Sequence, residues 1–172
     1  MHTMPERYRR WFEYEKDSHA KILAALNAVP EPMRGSEAYE KAVSLMAHLV
    51  LARWLWLFRL GAAPREQVPQ TDAEFFPRNV PVAELSGRVA EMEAAWESYL
   101  SRMDEAEVAR VLEYQSLDAG GFRNTVEDVL TQLFGHSWYH RGQIAQILRS
   151  IGAEPPATDF IFWAREAIDT GR

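Results

Sequence analysis

Four long stretches of this chain repeat apolar side chains at steps of three and four residues, a period that helices satisfy and strands do not. Segment 6–28 places Tyr8, Trp11, Phe12, Glu15, His19, Ile22, Leu23 and Leu26 on one face. Segment 36–60 opens on Ser36, a residue type that caps helix N-termini, and is apolar nearly all round from Leu45 to Leu60. Such a helix is buried on most sides. Gly61 is a good residue to end it. Segment 82–103 aligns Leu85, Val89, Met92, Trp96, Tyr99 and Met103. Segment 125–151 aligns Val126, Val129, Leu130, Leu133, Trp138, Ile144, Ile147, Leu148 and Ile151, with Asn124 or Thr125 as its cap and Gly152 as its stop. A short last helix is expected at about 158–169, after Pro155-Pro156. These periods predict an all-α fold of four long helices and a short C-terminal one, a single domain over 1–172.

Two stretches leave the arrangement open. Residues 106–117 read either as an extension of the third helix or as a small extended hairpin before Asp118-Ala-Gly-Gly. The link 61–81 is long for helix neighbours in a bundle. A helix of about 24 residues is roughly 36 Å long, and extended chain covers roughly 3.3 Å per residue, so the link has the reach to run back along a whole helix. The second and third helices are therefore free to run parallel.

Composition removes several chemistries. The chain has no cysteine, which excludes disulfides, Cys-ligated zinc, iron–sulfur clusters and thiol nucleophiles. Its formal net charge of −6 argues against nucleic-acid and anionic-membrane partners, which need a basic surface. Arg53 and Arg59 interrupt the longest apolar run, so no bilayer span is expected. The start, Met1-His-Thr-Met-Pro-Glu-Arg-Tyr, has no apolar signal core, and a cytoplasmic location is the expectation. Gly120-Gly121 is an isolated turn rather than a phosphate loop, and no Ser-His-Asp arrangement is visible.

The histidines carry the remaining chemistry. Of five, His136 and His140 lie four apart in the longest helix, which puts both rings on one face. Two imidazoles so placed can share one metal ion at about 2.0–2.1 Å. Gln132 lies one turn before the pair and Gln143 one turn after, where a purely structural helix would carry Leu or Ala. His48 sits in the middle of the most apolar helix, between Ser44 and Ala52, whose small side chains leave room for a ligand. A buried neutral imidazole needs a partner at each nitrogen, and coordination at one with a hydrogen bond at the other satisfies it. Taken singly, His48 reads as a hydrogen-bonded core residue and the pair as an exposed or capping feature. Three histidines converging from two helices is the sharper expectation. His19, one turn after Glu15, reads as a buried hydrogen-bonder, a fourth ligand or a general base. The tryptophans near the histidines, Trp54, Trp56 and Trp138, read as core.

The run His136-Ser-Trp-Tyr-His140-Arg-Gly-Gln143, followed by an apolar helix end, Gly152 and Pro155-Pro156, resembles the DinB-like (DinB/YfiT) superfamily of metalloenzymes. Tyr114-Gln-Ser-Leu-Asp118, Thr125-Val-Glu-Asp-Val-Leu130, and His48 followed by Trp56 and Gly61 are also similar to that superfamily. The resemblance covers nearly the whole chain and is strongest over 111–163. It implies a four-helix bundle of up-down-down-up order and a divalent-metal site built by His48, His136 and His140. It also implies structural roles for Arg141, which would bind a carboxylate or carbonyl, and for Gly142, which would permit close helix packing. Many members have His at the positions of Gln132 and Tyr139, Asn at Gly135 and Asn at His19.

Three imidazoles leave coordination positions open, as catalytic sites do. Zn²⁺ and Ni²⁺ suit such ligands, and Fe²⁺ is compatible. Relatives in the superfamily include transferases and isomerases that use low-molecular-weight thiols. The resemblance therefore implies a small-molecule substrate, with a thiol arriving as cosubstrate because the chain has none. The proton-handling candidates are His19, Gln132 and Tyr139. Hydrolysis by metal-bound water is the rival chemistry. The non-enzymatic alternative is a homodimeric stress or scaffold protein in which the metal staples two helices, with apolar residues of the first and third helices forming the seam.

Overall fold

The computed structural model describes residues 2–116 and 120–167. Its long helices are α1 (Met4–Ala28), α2 (Glu37–Arg59), α3 (Val82–Ser101) and α5 (Val126–Ser150); α4 (Glu105–Ala109) and α6 (Phe160–Ala164) are short. Each long helix matches a segment of apolar period to within about two residues, apart from minor fraying at the ends. Local chemistry sets the ends. Ser36 Oγ accepts from Tyr39 N at the start of α2, and Thr125 forms a capping box with Asp128 at the start of α5. Gly61 and Gly152 follow α2 and α5 at φ of 78° and 74°, the left-handed region that glycine enters without a Cβ clash. The expected last helix is shorter than its pattern, Phe160–Ala164 within 158–169, and its end at 168–169 lies outside the described residues.

The ambiguous stretch resolves as the hairpin. After α4, strand β1 (Val111–Gln115) pairs antiparallel with β2 (Gly121–Thr125), in register Val111 to Thr125. Arg59 at the end of α2 stacks on Tyr114 of β1 and on Trp56, its guanidinium 4.4 and 4.7 Å from the ring centroids.

Polar contacts between the long helices show their sense. Arg9 Nη1 of α1 donates to the carbonyls of Leu100 and Met103 around the end of α3, Lys16 pairs with Glu97, and His19 meets Glu93. Advancing along α1 thus means retreating along α3. Against α5 the order is direct: Tyr8 bonds Thr131 and Glu15 bonds Arg141. Against α2 it is reversed: Leu26 meets Tyr39, and Glu15 meets Arg53. Trp96 of α3, fully buried, donates from Nε1 to the carbonyl of Arg53 in α2.

One hydrophobic core runs between these helices, from Tyr8 and Phe12 through Met46, Leu57, Met92 and Trp96 to Leu133, Ile144 and Leu148. Its apolar area, removed from water at roughly 25 cal/mol per Å², is the main stabilising term. By length and composition alone α2 is apolar enough to cross a membrane, contrary to the expectation drawn from Arg53 and Arg59. Most of its apolar window is buried inside the protein, as in a core helix. The link between α2 and α3 folds through two 3-10 turns, Arg65–Gln67 and Asp72–Phe75, and inserts Val68 and Phe75 into the interior. Among the described residues the large exposed apolar side chains are Phe58, Phe76, Val111, Phe122, Trp138, Tyr139, Ile161 and Phe162. None is on α1 or α3, so the seam expected there is not what the surface offers. Trp138, expected in the core, is 46% exposed.

Candidate metal centre

His48 of α2 and His136 and His140 of α5 come together where these two helices face each other. His136 Nε2 lies 3.1 Å from His48 Nε2 and 3.0 Å from His140 Nε2. His48 and His140 are buried and His136 partly so. The far nitrogens of two rings are tied down. His48 Nδ1 is 2.9 Å from the carbonyl oxygen of Phe75, and His140 Nδ1 is 2.7 Å from Gln143 Oε1. Both partners are acceptors, so each Nδ1 carries the proton and each neutral ring turns an Nε2 lone pair inward.

That leaves the cluster short of protons. His136 in its neutral form has at most one N–H to give, and two lone pairs face it. A cation at the centre satisfies all three nitrogens at once. Nitrogens about 2.0–2.1 Å from one ion at 90–109° stand about 2.9–3.4 Å apart, which matches the two short distances here. The donor set therefore fits a divalent ion, and the bonds from Phe75 and Gln143 are the kind that hold metal-binding imidazoles in one tautomer.

Electrostatics keep the rings neutral. Burial pushes His48 down to about 4, against the opposing pull of the Phe75 carbonyl, and His140 adds to the depression. Burial likewise takes His136 to about 4, helped by His140, His48 and Arg53. His140 is lowered by burial and partly restored by Gln143. A neutral imidazole is the form that binds metal.

The link after α2 contributes what sequence reasoning missed. Phe75 supplies the carbonyl, and the Phe76 ring stacks on His48 at 4.1 Å between centroids and 8° between planes. No apolar period marks this segment, so nothing in it signalled a role. Beside the trio lies a cavity of about 460 Å³, bounded by Ser44, Phe76, Tyr139, His140 and Gln143 together with charged residues of α2 and the link.

The candidate proton handlers separate. Tyr139 is 64% exposed, borders this cavity and has its ring 5.0 Å from that of His140. Gln132 borders a different cavity, with Trp56 and Tyr114. His19 is not part of the cluster. Its Nδ1 is 2.8 Å from Glu93 Oε1 and its Nε2 3.8 Å from Glu15 Oε2, the buried hydrogen-bonding role among its three readings.

Behind the trio, Glu15 is fully buried between two buried guanidiniums. Arg53 Nη2 reaches Glu15 Oε2 at 2.8 Å and Ser137 Oγ at 3.3 Å. Arg141 binds Glu15 Oε1 and, through Nη2, Tyr14 Oη at 2.6 Å. Burial alone would raise the Glu15 carboxyl, but Arg53, Arg141 and His19 outweigh it and hold it below the usual carboxylate range. Arg141 thus binds a carboxylate, as the motif implied. Gly142 does not serve close packing: it is exposed, and a Cβ there would meet nothing within 4 Å.

The model of the DinB family matches residues 3–170. The chain belongs to the DinB family. No curated protein and no solved structure gives a significant match. The region matched to the DinB family includes both helices that carry the trio, the link that covers His48 and the hairpin.

Proposed function

We propose that this DinB-family protein is a divalent-metal-dependent enzyme acting on a small molecule, with His48, His136 and His140 as the metal ligands. The observation that carries the reading is the convergence of three Nε2 atoms beside an accessible cavity. A stapling metal needs a closed shell, whereas three protein ligands with space alongside leave a position for water or substrate. Zn²⁺ or Ni²⁺ best suits three imidazoles, with Fe²⁺ compatible.

When bound, the ion supplies Lewis acidity, activating either a low-molecular-weight thiol for transfer or a water for hydrolysis. The protein residues do the rest. Phe75 and Gln143 hold the Nδ1 protons of two ligands, so their rings do not turn. Phe76 covers one face of His48 and limits water there. Tyr139 is the one proton-handling candidate that borders the cavity, and it is placed to exchange a proton with a molecule held there. His19 and Gln132 have no such placement.

The helix contacts support an up-down-down-up four-helix bundle, with the long link as the crossover between parallel α2 and α3. A cytoplasmic location and a homodimer complete the reading, with no nucleic-acid or membrane partner given the net charge of −6. The test is turnover of thiol-plus-electrophile and ester or amide panels by protein loaded with Zn²⁺ or Ni²⁺, beside Tyr139→Phe. Activity that needs the metal and falls in the variant supports the proposal. A fully loaded protein inert toward both panels, with no exchangeable position on the ion, returns the reading to a structural staple.

A further inference from the structure

The cavity beside His140 has a charge pattern that the metal site does not explain. Glu37, Glu40 and Lys41 reach it from the first turns of α2, and Arg78 from the link. None of these four side chains makes an ion pair or side-chain hydrogen bond among the described residues, and Lys41 stays apart from Glu37 although they lie four apart on one helix. Acids in a first turn complement the helix dipole, which accounts for Glu37 and Glu40 being there. It does not account for two free cations bordering the same space. Phe76 supplies an exposed aromatic surface in the same lining.

A purely anionic ligand would be repelled by the two carboxylates, and a purely cationic one by Lys41, Arg78 and an ion on the trio. A molecule with both signs satisfies the whole lining. The volume of about 460 Å³ is in the range of small-ligand pockets. We infer that this cavity binds a small zwitterion of the amino-acid type, its carboxylate at Lys41 and Arg78 and its ammonium at Glu37 and Glu40. The inference deepens the proposed function, since the zwitterion is the molecule brought to the trio. It names a ligand class and four residues that select it.

Three cysteine derivatives of similar size test it: cysteine, cysteine ethyl ester without the carboxylate, and N-acetylcysteine without the ammonium. Binding to the protein is read by calorimetry, with and without Co²⁺. The sulfur-to-cobalt charge-transfer band separately reads whether the thiol reaches the ion. Cysteine should bind about tenfold tighter than either derivative, the size of one charge-assisted contact. The double variant Lys41→Ala/Arg78→Ala should bring cysteine down to the level of its ester. Glu37→Gln/Glu40→Gln should bring it down to the level of N-acetylcysteine. All four residues are on the surface, so these variants keep the core intact. Equal affinity for the three compounds overturns the inference. So does a cysteine preference that survives in both double variants, since that is chelation of cobalt by the amine and the carboxylate. Charge-selective binding with no cobalt band upholds the zwitterion site and removes instead the thiol-at-metal reading.

Discussion

Two polar clusters lie side by side in the core of this protein, and they differ in how they close. Around Glu15, opposite charges meet inside the protein: two guanidiniums share one carboxylate, Tyr14 and Ser137 take further N–H groups, and His19 turns to Glu93. At His48, His136 and His140, three nitrogens of one kind face each other, with no carboxylate among them. The first cluster meets its guanidiniums with a carboxylate of the chain, although Arg53 Nε, Arg141 Nε and His19 Nε2 stay buried without a hydrogen-bond partner, and it holds α1, α2 and α5 together. The second is short of a cation. A buried polar group that finds its partner within the chain is structural, and a set that converges without one points to a ligand.

The largest expected effect lies in the Glu15 cluster. Glu15→Gln leaves two buried guanidiniums without their anion and should lower stability by about 3–5 kcal/mol. His136→Ala, measured in the same metal-free urea titration, should cost about 1 kcal/mol or less, because the ring it removes has one N–H for the two lone pairs that face it. Similar losses in both would erase the distinction between the two clusters. Next comes Gln143→Ala, which frees the His140 ring and should weaken metal binding about 10–100-fold with little change in the metal-free fold. Unchanged affinity in a competition titration would show that the His140–Gln143 bond does not orient the ligand.

The pH response sharpens the comparison further. His48 and His136 sit at about 4 in the folded chain, against about 6.5 for a free imidazole. Below pH 6.5 the unfolded chain takes up protons that the folded chain refuses, so metal-free stability should be full above about 6.5 and fall as pH drops toward 4. The depressed Glu15 acts in the same sense but lower, its contribution being present above the ordinary carboxylate range and lost as pH falls through its folded value. A urea midpoint series should therefore decline from pH 6.5, and less steeply in His48→Gln. A series flat down to pH 5 contradicts this account of the histidines. The smallest effect belongs to Gln132→Ala, which should leave metal affinity unchanged because Gln132 borders the other cavity.

Much of this was legible in the sequence because it is local. The helices follow from their apolar period, and their ends from Ser36, Thr125, Gly61 and Gly152. His136 and His140 meet because four residues are one helical turn, and His48 stood out as a polar residue in the middle of the most apolar helix, which the motif resemblance then assigned to the same metal site. What stayed hidden depends on packing between distant segments. Glu15 is on the inner face of its helix by period, but its partners Arg53 and Arg141 lie 38 and 126 residues away. Arg53 reads as an interruption of an apolar run, and only the packing of α1 against α2 shows what neutralises it. Phe75 and Phe76 lie in a link without periodicity, so their place over His48 could not be read from spacing. Trp138 and Gly142 share α5 with the ligands but face outward, which the breadth of its apolar stripe concealed.

The most direct measurement is the metal content of untagged protein by mass spectrometry, wild type beside His140→Ala. The account predicts about one divalent ion per chain in the wild type and none retained in the variant. Wild-type protein that is purified without metal and does not take up added Zn²⁺ or Ni²⁺ would contradict it, and would make the three histidines part of the core and nothing more.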